Sequence, residues 1–148
     1  MKASEFIPES EQLQIVDAIA KAELNTSGEI RVHIEPRCKE KNVLQRAVRV
    51  FDIIDMEKTG KRNGVLIYIA FESCKFAIIG DKGINDLVPG NFWWDIEVRM
   101  KSDFAAGRFT EGICQAVISV GEALKQYFPY EDGDINEQTN EISFGDEA

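Results

Sequence analysis

Oxygen-bearing side chains and glycines crowd one block of the 148-residue chain. The block runs Arg62-Asn63-Gly64, an apolar stretch over 65–70, a turn at Glu72-Ser73 and a second strand-like stretch over 75–79. It ends in Gly80-Asp81-Lys82-Gly83-Ile84-Asn85-Asp86. Carboxylate, amide and carbonyl oxygens are the ligands preferred by hard ions such as calcium and magnesium. The pattern is that of two strands joined by a hairpin, with a candidate site where their Asn, Gly and Asp residues gather at one end.

Periodicity predicts the elements that must position these groups. Residues 9–24 carry Leu13, Val16, Ile19 and Ala20 at helical spacing after Pro8, with Ser10 as N-cap. After Asn25-Thr26-Ser27-Gly28, a strand alternates Ile30, Val32 and Ile34 with Glu29, Arg31 and His33, which predicts one dry face and one wet face. Pro36 closes that strand. A helix over 40–56 turns Leu44, Ala47, Val48, Phe51 and Ile54 to the core. The strand over 65–71 is apolar on both faces, as a covered central strand is. Strand, helix, strand predicts a parallel pair, and the hairpin returns the third strand antiparallel. A loop over 80–91 follows, then a helix over 92–105 with Trp93, Ile96, Met100 and Phe104 inward, ended by Gly107. A last helix over 109–128 carries Ile113, Val117, Val120, Leu124 and Phe128 on one stripe, and Pro129 stops it.

This topology sets Ser27, Gly28 and Glu29, then Asn63 and Gly64, then Gly80 and Asp81, on one sheet edge. Asp55 and Glu57 reach the same edge because their helix feeds the second strand, and so does the loop bearing Asp86. Carboxylates gathered there repel one another until a cation, a proton or a basic neighbour relieves them. Asp81, Asp86, Asp55 and Glu29 are candidate ligands for calcium or magnesium, with Arg62, Asn63 and Gly83 as further binding residues. Lys58, Lys61, Arg62 and Lys82 offer the other route to neutrality. Glu97 falls on the inward stripe of its helix, where a carboxylate must be paired, protonated or metal-bound. It is either a fifth ligand or a stripe-edge residue whose head reaches water. Trp94, next to the inward Trp93, is a candidate for stacking on a ligand.

The length suits one domain with a core of its own. The net charge of −9 is largely a property of the last twenty residues, which hold seven acids and no Lys or Arg. The rest is nearly balanced, with 17 basic and 19 acidic side chains. No basic stripe with interleaved aromatics appears, so nucleic acid is not an expected partner. No apolar run approaches the roughly 20 residues of a membrane span. The amino-terminal residues show no secretory h-region, and three widely spaced cysteines without a CxxC pair fit reduced thiols. A cytoplasmic location is expected, with a domain over 1–128 followed by an acidic tail over 129–148 that lacks a core of its own.

Taken together, Thr26-Ser27-Gly28-Glu29-Ile30, Lys58-Thr59, Arg62-Asn63-Gly64-Val65-Leu66-Ile67 and Phe76-Ala77-Ile78-Ile79-Gly80-Asp81-x-Gly83-Ile84 strongly resemble the TPM domain. Phe92-Trp93, Met100, Phe104, Gly107 and Gly112-Ile113 continue the resemblance, which covers roughly residues 5–128. That family includes an acid phosphatase of the thylakoid lumen and a photosystem II repair protein. The resemblance implies an α/β/α three-layer sandwich, Rossmann-like, around a small mixed sheet in the order helix-strand-helix-strand-strand-helix-helix. It also implies a polar cavity at the strand edge, divalent-ion binding and, in some members, weak acid phosphatase activity. Asp81 and Asp86 match the family's acidic loop, and Asn63 and Glu29 match strand starts beside the cavity. Asp55 and Glu97 rest on geometry alone. Many members carry a signal peptide and a membrane anchor, which this sequence does not show.

Other motifs carry less. Asp132-Gly133-Asp134-Ile135-Asn136 begins like an EF-hand loop but lacks Gly at loop position six and Glu at position twelve. His33 is the only histidine and stands mid-strand, away from the edge. No DxDxT, P-loop or Cys-x5-Arg signature announces a phosphoenzyme residue. Three functional readings follow. One is a cation-binding accessory module, and another a metal-dependent phosphatase taking a phosphorylated substrate at the same site. The third is an interaction module whose acidic tail docks on a protein partner or on its own body.

Overall fold

The computed structural model describes residues 1–131 and 137–145. Its elements are α1 (Ala3–Phe6), α2 (Glu9–Glu23), β1 (Glu29–Glu35), α3 (Val43–Ile53), β2 (Gly64–Ala70), β3 (Lys75–Gly80), α4 (Lys82–Asn85), α5 (Trp94–Ala105), α6 (Phe109–Tyr127) and β4 (Ser143–Phe144). The strand order is β3-β2-β1-β4. β1 runs parallel to β2 and to β4, while β2 and β3 are antiparallel. The expected mixed α/β sandwich is present, with α1, α4 and β4 added to the anticipated elements.

β2 is buried over all seven residues, because both of its faces carry a core. Val65, Ile67 and Ile69 join Ile30, Val32 and Ile34 against Ile15, Ile19, Met100, Ile113, Val117, Val120 and Leu124. Leu66, Tyr68 and Ala70 face the other way, onto Ala47, Val50, Phe51 and Met56. The α6 stripe reads as the sequence predicts. On α2 the stripe instead runs through Ile15 and Ile19, and Leu13 is 66% exposed. Its apolar set is wider than the contact, so one flank is left in water. No Ser10 side-chain cap forms; α2 begins after Pro8 without one.

α3 departs further. Asn42 caps it through Leu44 N–H and Gln45 N–H, and its buried residues are Arg46, Ala47, Val50 and Phe51. Leu44 and Val48 are about half exposed. An arginine turns inward because a buried carboxylate waits there. Glu35 Oε2 accepts from Arg46 Nε and Glu35 Oε1 from Arg46 Nη2, both at 2.8 Å, and the Tyr68 hydroxyl also donates to Glu35.

The wet face expected of β1 is dry. Glu29, His33 and Glu35 are all buried, since residues 137–145 cover them. Ser143 Oγ meets His33 Nδ1 at 2.8 Å, and Ile142 and Phe144 pack against the main core. The EF-hand-like run 132–136 lies outside the described residues. Among those described, no helix is long and apolar enough to cross a membrane, and all three cysteines are free.

Candidate functional site

Strand register places the anticipated residues on one rim. Glu29 stands opposite Gly64, and Gly80 opposite Val65. Glu29 N–H reaches the Asn63 carbonyl at 3.4 Å, while Asp81 N–H donates to the Gly64 carbonyl at 2.9 Å. The rim therefore follows β1, β2 and β3 in turn, but its acids divide into two groups.

At the β3 end, Asp81 caps α4 through Lys82 N–H and forms a two-pronged pair with Arg62, Nε–Oδ2 2.7 Å and Nη2–Oδ1 2.9 Å. Asp81 is buried, whereas the Arg62 side chain is 48% exposed. Arg62 has φ of +52°, a left-handed conformation that non-glycine residues adopt at some strain. Gly83 packs on this turn: its N–H donates to the Arg62 carbonyl, and a Cβ there would come within 2.6 Å of that same oxygen. Only glycine lets the two backbones approach so closely. A short helix thus opens directly after the Gly80-Asp81 turn, where the sequence pattern indicated a plain loop. Asp86, exposed, ends α4 and lines an open cleft of about 450 Å³ with Asp52, Glu57, Arg62, Asp81, Lys82 and Asn85.

At the β1 end, Glu29 is 2% exposed. Its Oε1 accepts from the N–H groups of Glu137 and Gln138, and its carboxyl is hydrogen-bonded to that of Glu23. Glu23 also accepts from Ile30 N–H at 2.8 Å. Burial first, then the neighbouring Glu29 charge, pushes the Glu23 carboxyl up to about 8. Burial raises Glu29 as well, against the hydrogen bonds it accepts. Two carboxylates this close share a proton, one way of relieving their repulsion. Asn63, between the two groups along the rim, is fully buried, and among the described residues neither amide atom has a hydrogen-bond partner.

The remaining candidates are dispersed. Asp55 is exposed beside Lys58 at 3.6 Å, and its carbonyl accepts from the Gln138 side-chain amide. Glu97 is not on the rim. Half-buried on α5, it accepts from Ile78 N–H midway along β3, and desolvation raises its pKa against that bond. Trp93 is buried and Trp94 is 63% exposed, as anticipated. Among the described residues no three His, Cys, Asp or Glu side chains converge as a ready metal cage. Glu23 was missed in the sequence because it ends a helix. Only its spacing of six from Glu29 across a Gly-containing reversal pointed to it.

A sequence profile of the TPM domain matches residues 1–131. The chain belongs to the TPM domain family. The BA42 protein of the psychrophilic bacterium Bizionia argentinensis, solved by NMR, is 46% identical, with a TM-score of 0.89 over 97% of this chain and 99% of that one. The N-terminal domain of the cg2496 protein from Corynebacterium glutamicum shares the fold at 14% identity and TM-score 0.63, over 80% of this TPM chain and 74% of that chain. An N-terminal domain from P. gingivalis does so at 15% and 0.67, over 84% and 80%. No curated protein matches significantly.

Proposed function

We propose that this TPM domain is a binding or accessory module for a divalent cation, calcium or magnesium, held at the β1 end of the rim by Glu29 and Glu23. The observation that supports the reading is the carboxyl pair at the start of β1, buried Glu29 hydrogen-bonded to half-buried Glu23, whose mutual repulsion a cation would relieve. Two carboxylates suit a hard ion that keeps most of its water shell, as magnesium does. A bound ion would take over from the shared proton in relieving the Glu23–Glu29 repulsion. Asp81 is a poor ligand, since Arg62 and Lys82 N–H already engage its oxygens.

Titration of the protein with calcium or magnesium chloride, followed by NMR, tests this. The expected shifts fall on Glu23 and Glu29 and vanish in Glu29→Gln. Shifts confined to exposed Asp86 and Asp55 would overturn the reading. A second reading, a phosphorylated substrate, draws support from the adjoining cleft, where Arg62 and Lys82 line the wall. It requires turnover of a generic phosphoester that Lys82→Ala weakens.

A further inference from the structure

The two faces of the sheet are covered unequally. α2, α5 and α6 all pack on one of them. Among the described residues α3 is the one helix in the core of the other, through Ala47, Val50 and Phe51. Its Arg46 flank turns toward Glu35 of β1, which leaves the opposite flank over β3. Leu44 and Val48 lie one turn apart there, 52% and 53% exposed. With Glu40, Gln45, Arg49 and Asp52 they line a groove of about 590 Å³. Val48 and Asp52 are also walls of the open cleft beside Phe51 and Ile79, so the two hollows run on from one another along α3. The charges of this channel do not balance. Glu40 is paired with Arg49 and Asp81 with Arg62, which leaves Asp52, Glu57 and Asp86 to Lys82. Glu57 Oε2 is buried and receives no hydrogen bond among the described residues.

We propose that this channel is a docking site for an amphipathic helix of a partner protein, which lays an apolar stripe on Leu44 and Val48 and brings lysine or arginine to Asp52, Glu57 and Asp86. Apolar side chains four apart on one helix take up a ridge of like spacing on another. Opposite charge at the rim selects the partner and speeds encounter. A second copy of this chain would set the same acids against each other, under a net charge of −9 on each molecule. A strand added to β3 would need the Ile78 N–H, which Glu97 already holds. None of these docking residues belongs to the Glu23–Glu29 pair, so docking is independent of any cation bound there.

The test follows amide NMR shifts of the full chain as a synthetic helix is added. The probe is about 18 residues long, five turns, with leucine on one face and lysine on the other. Shifts are expected along Leu44, Val48, Asp52 and Ile79, with affinity falling severalfold as salt rises. Val48→Ser, at a half-exposed position that the fold tolerates, is expected to weaken binding about tenfold. Glu57→Gln should weaken it less and flatten the salt dependence. Probes with glutamate for lysine, or with serine for leucine, should leave α3 unmoved. No shift along α3, shifts confined to Trp94 and Val98 or to residues 137–145, or equal affinity in Val48→Ser each overturn the docking site. A dimer of the free protein in sedimentation that Val48→Ser dissolves also overturns it, by giving the channel to a second copy.

Discussion

Glu35 and Arg46 form a two-pronged ion pair sealed between β1 and α3, with the carboxylate side chain 0% and the guanidinium side chain 9% exposed. Removing one partner of such a pair strands the other in a medium that cannot solvate it. Arg46→Met is expected to destabilise the protein by about 3–5 kcal/mol. Tyr68→Phe, which deletes one donor to the same carboxylate, costs about 1–2 kcal/mol. Urea unfolding of both variants measures the ratio, and equal losses would contradict the assignment of the charge to Arg46.

Two glutamates pull the stability–pH curve in opposite directions. Burial alone would raise Glu35, but hydrogen bonds from Arg46, His33 and Tyr68 outweigh it and hold the carboxyl well below its ordinary 4.5. Its contribution is present above pH 4.5 and fades as pH falls below that value. Glu23, raised from 4.5 to about 8, contributes below pH 4.5 and loses that contribution as pH rises toward 8. The thermal midpoint should therefore decline on both sides. Glu23→Gln should flatten the alkaline limb and leave the acid limb as it was.

Gly83→Ala forces a methyl onto the Arg62 carbonyl, 2.6 Å away, and backbone cannot rotate out of its path. A loss of about 1–3 kcal/mol is expected, with the amide signals of Lys61 and Arg62 displaced. Gly90→Ala is the control. A Cβ there meets nothing within 4 Å, and its effect should stay within about 0.5 kcal/mol.

Arg62 offers a comparison of two substitutions. Both Arg62→Ala and Arg62→Gly forfeit the same ion pair with Asp81, so that loss cancels in the comparison. Alanine alone must also hold a φ near +52°, which adds about 1–2 kcal/mol for a residue with a Cβ. Denaturation should rank glycine above alanine. The reverse order would mean that the turn is not left-handed in solution.

The sequence made the rim legible because strand direction alone decides which ends meet. The apolar β2 and the 65–70/75–79 hairpin left little choice, and Glu29, Asn63 and Asp81 followed from them. Which acids pair was less accessible. Arg62 and Asp81 are nineteen residues apart and meet only through the turn that Gly83 permits. Glu97 falls on the inward stripe of its helix by spacing and is half-buried there, yet its partner is a backbone N–H that no side-chain pattern reveals. The cover on β1 was hidden for a different reason. β4 is two residues long, too short for any alternation to register, and it lies in an acidic stretch of the kind that usually stays in water. Glu29 and His33 consequently read as part of a solvated face when they are interior.

Glu23 accepts from Ile30 N–H on the stretch of β1 that the two-residue β4 leaves open, and Glu97 accepts from Ile78 N–H on the edge strand β3. Open margins are where sheets from separate molecules join and begin to aggregate. Here an acid side chain occupies one N–H on each, so a foreign strand finds that donor already taken. Protection against strand addition thus has a local source in two side chains, acting beside the long-range repulsion of the net negative charge.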